Sequence, residues 1–182
     1  MPLGPEPVSV DLETLVRLFY EDGGELGHFT EKSAEAMPAA YRPLLAHTGH
    51  MTETVEAHHG DRVDVEVLAK QVTASHYARK ILLRRRRDRR VVQFGIMRVA
   101  FAYLPAAARA EIEAETTPLG RVLIEHNVLR SVELVALWRV EPGRDLQKLF
   151  GIPAGVETYG RTALIYCNHE PAVELLEIVT PE

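Results

Sequence analysis

The stretch ETYGRTALIYCNHEPAVELLEIV, residues 157–179, decides the fold. Two runs rich in Ala, Leu, Ile, Val and Tyr, 157–167 and 172–179, flank Asn168-His169-Glu170-Pro171, a cluster of turn-forming residues. Two apolar runs joined by so short a turn read as antiparallel neighbours in a sheet. Strand side chains alternate between faces, so Val173, Leu175, Glu177 and Val179 share one face and Glu174, Leu176 and Ile178 the other. Glu177 is the only polar member of its face, which predicts burial or a place in a cavity wall. Arg161 stands on the preceding run, where an unpaired charge on an apolar strand is costly.

Working outward, the same pattern recurs. The first strand opens at Met51-Thr52, short over 51–57, and leads to Val63, Val65 and Val67 in alternation with Asp64 and Glu66. Strands over 76–83 and 91–103 flank the basic run 84–90, and residues 128–140 alternate again before Pro142-Gly143. Helical spacing is found over 11–20, 38–46, 105–115 and 118–126, with a helical turn over 145–150. These elements predict an α+β architecture: a single antiparallel six-stranded sheet flanked by helices. Residues 1–10 read as an extended N-terminal lead-in and 11–182 as a single domain.

Charge sits on apolar faces at a second strand. Arg79 shares a face with Tyr77, Ile81 and Leu83, where a guanidinium needs a carboxylate. Two readings stay open: an internal salt bridge to Glu177 or Glu174, or a ligand carboxylate. In Thr116-Thr117-Pro118-Leu119-Gly120-Arg121 we read a helix start with Thr117 as N-cap and Pro118 at the first helical position. That start leaves the amides of Leu119, Gly120 and Arg121 free to receive an anion.

Net charge is −5, which does not suit nucleic acid as a partner. The run 84–90 reads as a solvated hairpin end, with an oligomer contact, a field drawing in anions, or a nucleic-acid patch as sharper alternatives. The single cysteine, Cys167, excludes an internal disulfide and reads as a small buried hydrophobe. No secretory leader is legible and no apolar run approaches the roughly 18 residues of a membrane span, so the expected location is cytoplasmic. His47, His50, His58 and His59 do not match a zinc spacing and read as exposed loop and strand-end residues, so no metal is expected. Phosphate loop, nucleophile elbow and HExxH are all missing.

Read together, Met51-Thr52, the string 77–83, Thr117-Pro118-Leu119-Gly120-Arg121, Tyr159-Gly160-Arg161 and the 171–181 segment with Glu177 resemble chorismate pyruvate-lyase in order and spacing. The resemblance covers residues 49–181. It implies one antiparallel sheet with the ligand enclosed beneath helices, and a cofactor-independent carbon–oxygen lyase that eliminates pyruvate from chorismate to give 4-hydroxybenzoate. It further implies that Arg79 and Glu177 are the catalytic pair, Arg79 on the ring carboxylate and Glu177 at the ring hydroxyl. Met51, Leu119 and Gly120 would line the site through their backbone. Arg161 or Arg121, with Arg98 in reserve, would hold the enolpyruvyl carboxylate. Three departures stand out. The segment 139–156 is longer than the family's connection and is expected to reshape the pocket. Tyr159 stands where the family has tryptophan. The step from Pro171 to Glu177 is one residue longer, which requires a bulge or puts Glu174 in Glu177's place.

The competing function is a stand-alone small-molecule sensor for an aromatic carboxylate, related to the effector domains of GntR-type repressors, which share the fold. Such regulators carry a winged-helix domain ahead of it, and the first fifty residues here read as too short for one, without a recognition-helix pattern. The expected partner under both readings is a small molecule, with no nucleic acid and no membrane. The oligomeric state stays open.

Overall fold

A computed structural model describes residues 10–128 and 130–182. In chain order the elements are α1 (Leu12–Arg17), β1 (Gly27–Lys32), α2 (Arg42–Leu45), α3 (Met51–His59), β2 (Val63–Val72), β3 (His76–Arg85), β4 (Val91–Ala100), α4 (Ala106–Ala114), α5 (Leu119–Glu125), β5 (Arg130–Pro142), α6 (Arg144–Phe150), β6 (Thr158–Cys167) and β7 (Glu170–Val179). The strands form one sheet in the order β1-β5-β6-β7-β4-β3-β2, antiparallel at every pairing.

The sheet has seven strands, not the expected six. The extra one, β1, is GHFTEK, an edge strand too polar to show a hydrophobic period, and it pairs with β5 from Gly27–Pro142 to Lys32–Leu137. Residues 51–57 are not extended. They belong to α3, which buries Met51, Thr52 and Val55 and ends at Gly60 in the left-handed region (φ 61°). Gly60, directly after His59, is the helix-stop signal that a strand over 51–57 leaves unexplained. Of the lead-in 1–10, only Val10 lies within the described residues, and it is buried. The helix expected over 38–46 forms only as α2, and the strand expected over 91–103 ends at Ala100 in a 3-10 turn. The expected strand start at 128–129 falls partly outside the described residues, and β5 begins at Arg130.

Both faces of the sheet are covered. Leu82, Phe94, Ile96, Leu164, Leu176 and Ile178 pack beneath α1 and α6, against Leu15, Val16 and Leu146. The other face carries two separate clusters. One joins Tyr77, Met97, Val99, Ile165 and Leu175 to α4 and α5 through Ile112, Val122 and Leu123. The second joins Ile81, Leu83 and Val179 to α2 and α3 through Leu44, Leu45, Met51 and Val55.

The basic run resolves as a paired hairpin end. Arg84 meets Glu66, Arg85 meets Asp88, and Asp64 accepts from both Arg86 and Arg89. Within the described residues, no helix is long and apolar enough to cross a membrane. The β6–β7 turn places Asn168 at φ 52° and His169 at φ 68°, the left-handed pair that a tight hairpin turn requires and that favours Asn-Gly. His169 is the misfit of the two. His169→Gly is therefore expected to stabilise the protein by about 1 kcal/mol, read as a rise of about 2–4 °C in thermal midpoint. An unchanged or lower midpoint would contradict this turn geometry.

Candidate functional site

Between the two clusters on the α2–α5 side, the apolar packing is interrupted by a row of polar side chains. Across the sheet, Ile81 lies opposite Gly95, Gly95 opposite Glu177, and Glu177 opposite Arg161. One row further along, Arg79 lies opposite Met97. A cavity opens over these rows, lined by His50, Met51, Thr52, Arg79, Gln93, Gly95, Leu119, Gly120, Arg161 and Glu177 among others, with about 550 Å³ of empty space including its mouth.

Arg79 dominates it. The side chain is 1% exposed. Among the described residues no carboxylate pairs with it, and its Nε has no hydrogen-bond partner. Its hydrogen bonds are long ones, donated at 3.5 Å to the carbonyls of Ile112 and Thr117, while the Tyr77 hydroxyl, which donates to Glu115, and the Glu115 carboxylate beyond it offset its charge in part. Burial pushes its pKa below the ordinary arginine value, the sign of a cation without sufficient counter-charge. The internal salt bridge is thus not formed: Glu177 is taken by Arg161 and Glu174 by Arg98.

Glu177 is 8% exposed and its Oε2 accepts from Arg161 Nε at 2.7 Å. Arg161 also donates to the carbonyls of His47 (2.9 Å) and Gly49 (3.0 Å). All three of its nitrogens are engaged, so Arg161 pins the segment leading into α3 onto the sheet. Glu174 lies on the opposite face, half-buried, accepting from both Arg98 Nε and Nη2. What separates the two carboxylates is a bulge: Tyr166 pairs with Pro171 but Ile165 with Val173, leaving Ala172 as the extra residue. It absorbs the additional residue before Glu177 and turns that side chain to the cavity face.

Two helix starts meet at the cavity. α3 begins after His50 and α5 after Pro118, and neither has a side-chain cap on its first-turn amides. The N-cap of α5 is Pro118 rather than Thr117, which shifts that start by one residue. The two starts pack closely, for a Cβ on Gly120 would fall 3.0 Å from Thr52 Oγ1. The positive ends of both helices therefore face the same space as Arg79. Of the sequence-derived residues, Arg79, Met51, Leu119, Gly120, Arg161 and Glu177 come together here. Arg121 does not: it ion-pairs with Glu56. The long 139–156 segment forms α6 on the other face, so it does not shape the cavity. Tyr159 packs against Tyr41 with ring centroids 4.6 Å apart.

Gln93 and His50 were not singled out from sequence. In sequence Gln93 is one of two polar positions in the apolar run 91–100. His50 was expected to be exposed but is 8% exposed, and its Nε2 accepts from Arg130 Nε at 2.6 Å. Burial, then the Arg130 and Arg161 charges, depress it to about 4, so the ring is neutral near pH 7. Outside the cavity, His58, His59 and Glu182 bring potential metal-ligating atoms within 4.8 Å of one another. Arg85 and Arg87 act on His59 there and oppose a cation. Cys167 is buried, and its thiol is pushed up to about 11, as expected of an inert core thiol.

No family model matches the chain, and no curated protein matches it in sequence. Solved structures do. PhnF from Mycobacterium smegmatis matches at 13% identity and TM-score 0.52, over 72% of this chain and 64% of that chain. The effector domain of PhnF from the same organism matches at 13% identity and TM-score 0.53, over 72% and 88%. Gene product SA0254 from Staphylococcus aureus matches at 10% identity and TM-score 0.52, over 74% and 90%. The chain thus spans 64% of the PhnF chain but 88% of the effector-domain chain. What is shared is the fold, a chorismate lyase-like one that the effector domain of PhnF also has. The expectation of a carbon–oxygen lyase is corrected here, because the solved structure that this chain covers to 88% is described as an effector domain.

Two predictions follow from the site's charges. Glu177→Ala leaves Arg161 buried without its carboxylate and is expected to cost about 3–5 kcal/mol, against about 1 kcal/mol or less for Glu174→Ala, in denaturant unfolding. Equal costs would remove the distinction drawn between the two faces. For His50, the folded value of about 4 lies below the ordinary 6.5, so the unfolded chain binds the proton first. Its contribution is present above pH 6.5 and lost as pH falls towards about 4. Unfolding of His50→Gln is expected to show a shallower loss of stability than the parent across that window; parallel curves would contradict the neutral, buried ring.

Proposed function

We propose that the chain is a small-molecule-binding domain of the effector type whose ligand is an aromatic carboxylate. One observation carries this reading: a buried guanidinium with no paired carboxylate among the described residues, lining a largely apolar cavity that two uncapped helix starts also line. A planar guanidinium recognises a carboxylate by paired hydrogen bonds. Ile81, Met97, Val132, Ile165 and Leu175 supply apolar walls suited to a ring. Arg161 serves by holding His47 and Gly49 in place, rather than as a second anion anchor. The reading asks for one carboxylate, not two. The likeness to effector domains of regulators favours binding over turnover.

The test is thermal unfolding of the purified protein with 4-hydroxybenzoate and with its neutral amide. The acid should stabilise by about 2.7 kcal/mol at 100 times its Kd, and the amide should do little. Arg79→Met should weaken binding about 30-fold or more while leaving the unliganded protein as stable as the parent or more so, since an apolar residue replaces an uncompensated buried charge. Equal response to acid and amide, or strong destabilisation by Arg79→Met without a change in binding, would sink the reading.

A further inference from the structure

Taking the cavity as the carboxylate site proposed above, we infer that its ligand enters at the β5 end of the sheet, past His50, and that Arg130 is the residue that captures the anion there. The cavity reaches solvent at two places. Every residue that lines it is buried except Val65 on β2 and Val132 on β5, at opposite ends. Both stand at edges of the sheet. β2 is the last strand, and β1 covers β5 only from Leu137 to Pro142, which leaves β5 uncovered at Val132.

The two ends differ in charge. On the cavity face at the β2 end, Lys70 pairs with Glu115 at 2.9 Å, and Arg121 pairs with Glu56. Neither pair leaves a cation for an incoming carboxylate. At the β5 end, Arg130 stands two residues before Val132 on the same face and is half-buried. Its Nε donates to His50 Nε2 at 2.6 Å and its Nη1 to the Val128 carbonyl at 3.3 Å. Among the described residues no carboxylate pairs with it and its Nη2 has no partner. Glu133, the next acidic residue along β5, lies on the other face and accepts from the Tyr166 hydroxyl at 3.2 Å. Arg130 thus opens onto an outer pocket that it shares with Thr48, Asn127 and Ser131, which hydrogen-bond but carry no charge.

His50 and Val132 line both the outer pocket and the inner cavity, so they form the wall between the two. The His50 ring is neutral near pH 7 and offers Arg130 a single nitrogen. A carboxylate brings a full negative charge and takes two guanidinium nitrogens at once. One arriving in the outer pocket draws Arg130 away from His50 and leaves the ring free to turn out of the wall. Arg79 on β3 lies four strand spacings from β5, about 19 Å at ~4.8 Å each. That is more than twice the Debye length of about 8 Å at physiological salt. Arg130 therefore acts on the encounter and not on the seated ligand.

The experiment is stopped-flow measurement of association and dissociation rates for 4-hydroxybenzoate on the full chain. The parent is compared with Arg130→Gln, which removes the charge and keeps a donor for His50, at low and at physiological salt. Both rates should fall by about 10-fold in the variant at low salt, leaving Kd within about 2-fold of the parent. The association rate should also lose most of its salt dependence. A second arm attaches a bulky maleimide at either end of the cavity, through Ser131→Cys or Val67→Cys, with the buried Cys167 left unreactive and each labelled protein checked for an intact thermal transition. The label at the Ser131 position should slow association at least as much as Arg130→Gln, and the label at the Val67 position should leave it unchanged. Parent-like rates in Arg130→Gln, a loss of affinity carried by faster dissociation, or blockage from the β2 end alone overturns this route and leaves the carboxylate site standing. If the parent binds no aromatic acid, the carboxylate site falls and this inference with it.

Discussion

A guanidinium held in an apolar interior without a carboxylate is the constraint around which the α2–α5 side of this molecule is arranged. Removing arginine from water is costly, and proteins normally offset that cost with a paired anion or a full set of hydrogen bonds. Among the described residues Arg79 has neither, only two carbonyl contacts at 3.5 Å and the partial offset of Tyr77 and Glu115. The sheet does contain the groups that would pair with it. Glu177 and Glu174 stand on β7, two strands away, yet each is committed to another arginine. The unpaired state is thus produced by the register of the sheet, which gives every other strand charge near the cavity a partner first.

That register depends on one residue. With Ala172 looped out of the β6–β7 ladder, Glu177 falls opposite Arg161 and faces the cavity; without the bulge, β7 would turn over and present Glu174 instead. Arg161, tied to Glu177, then reaches the carbonyls of His47 and Gly49 and fixes the segment from which α3 starts. The uncapped end of α3 is brought against the start of α5 and above Arg79 through this chain of contacts, where Gly120 permits the close approach. A buried salt bridge in the sheet therefore sets the position of backbone amides in the layer above.

Much of this could be read in the sequence because period-two alternation makes a misplaced charge visible. Arg79, Arg161 and Glu177 each interrupt an apolar face, and the hairpin between β6 and β7 announces itself through Asn168 and Pro171. What escaped was of two kinds. β1 and α3 are short and polar, and their structure is set by tertiary partners, β5 for one and the α2–α5 layer for the other, rather than by a hydrophobic period. The second kind concerns which charges find partners: sequence places arginines and carboxylates on faces but does not assign pairs. Arg121 illustrates it, since its position in the helix-start motif put it near the anion seat, whereas Glu56 on α3 draws it away.

The position of the cavity bears on what binding can do. The side of the sheet facing α2–α5 carries two apolar clusters, one under α4 and α5 and the other under α2 and α3, and the polar rows run between them. These clusters are joined mainly through the sheet and the close packing of α3 against α5. A ring bound over Gly95 would add contacts to both, and its carboxylate would meet Arg79 beneath the two helix starts. Binding free energy spent on those contacts stabilises the arrangement of α3 relative to α5, which is the kind of change an effector domain can pass on.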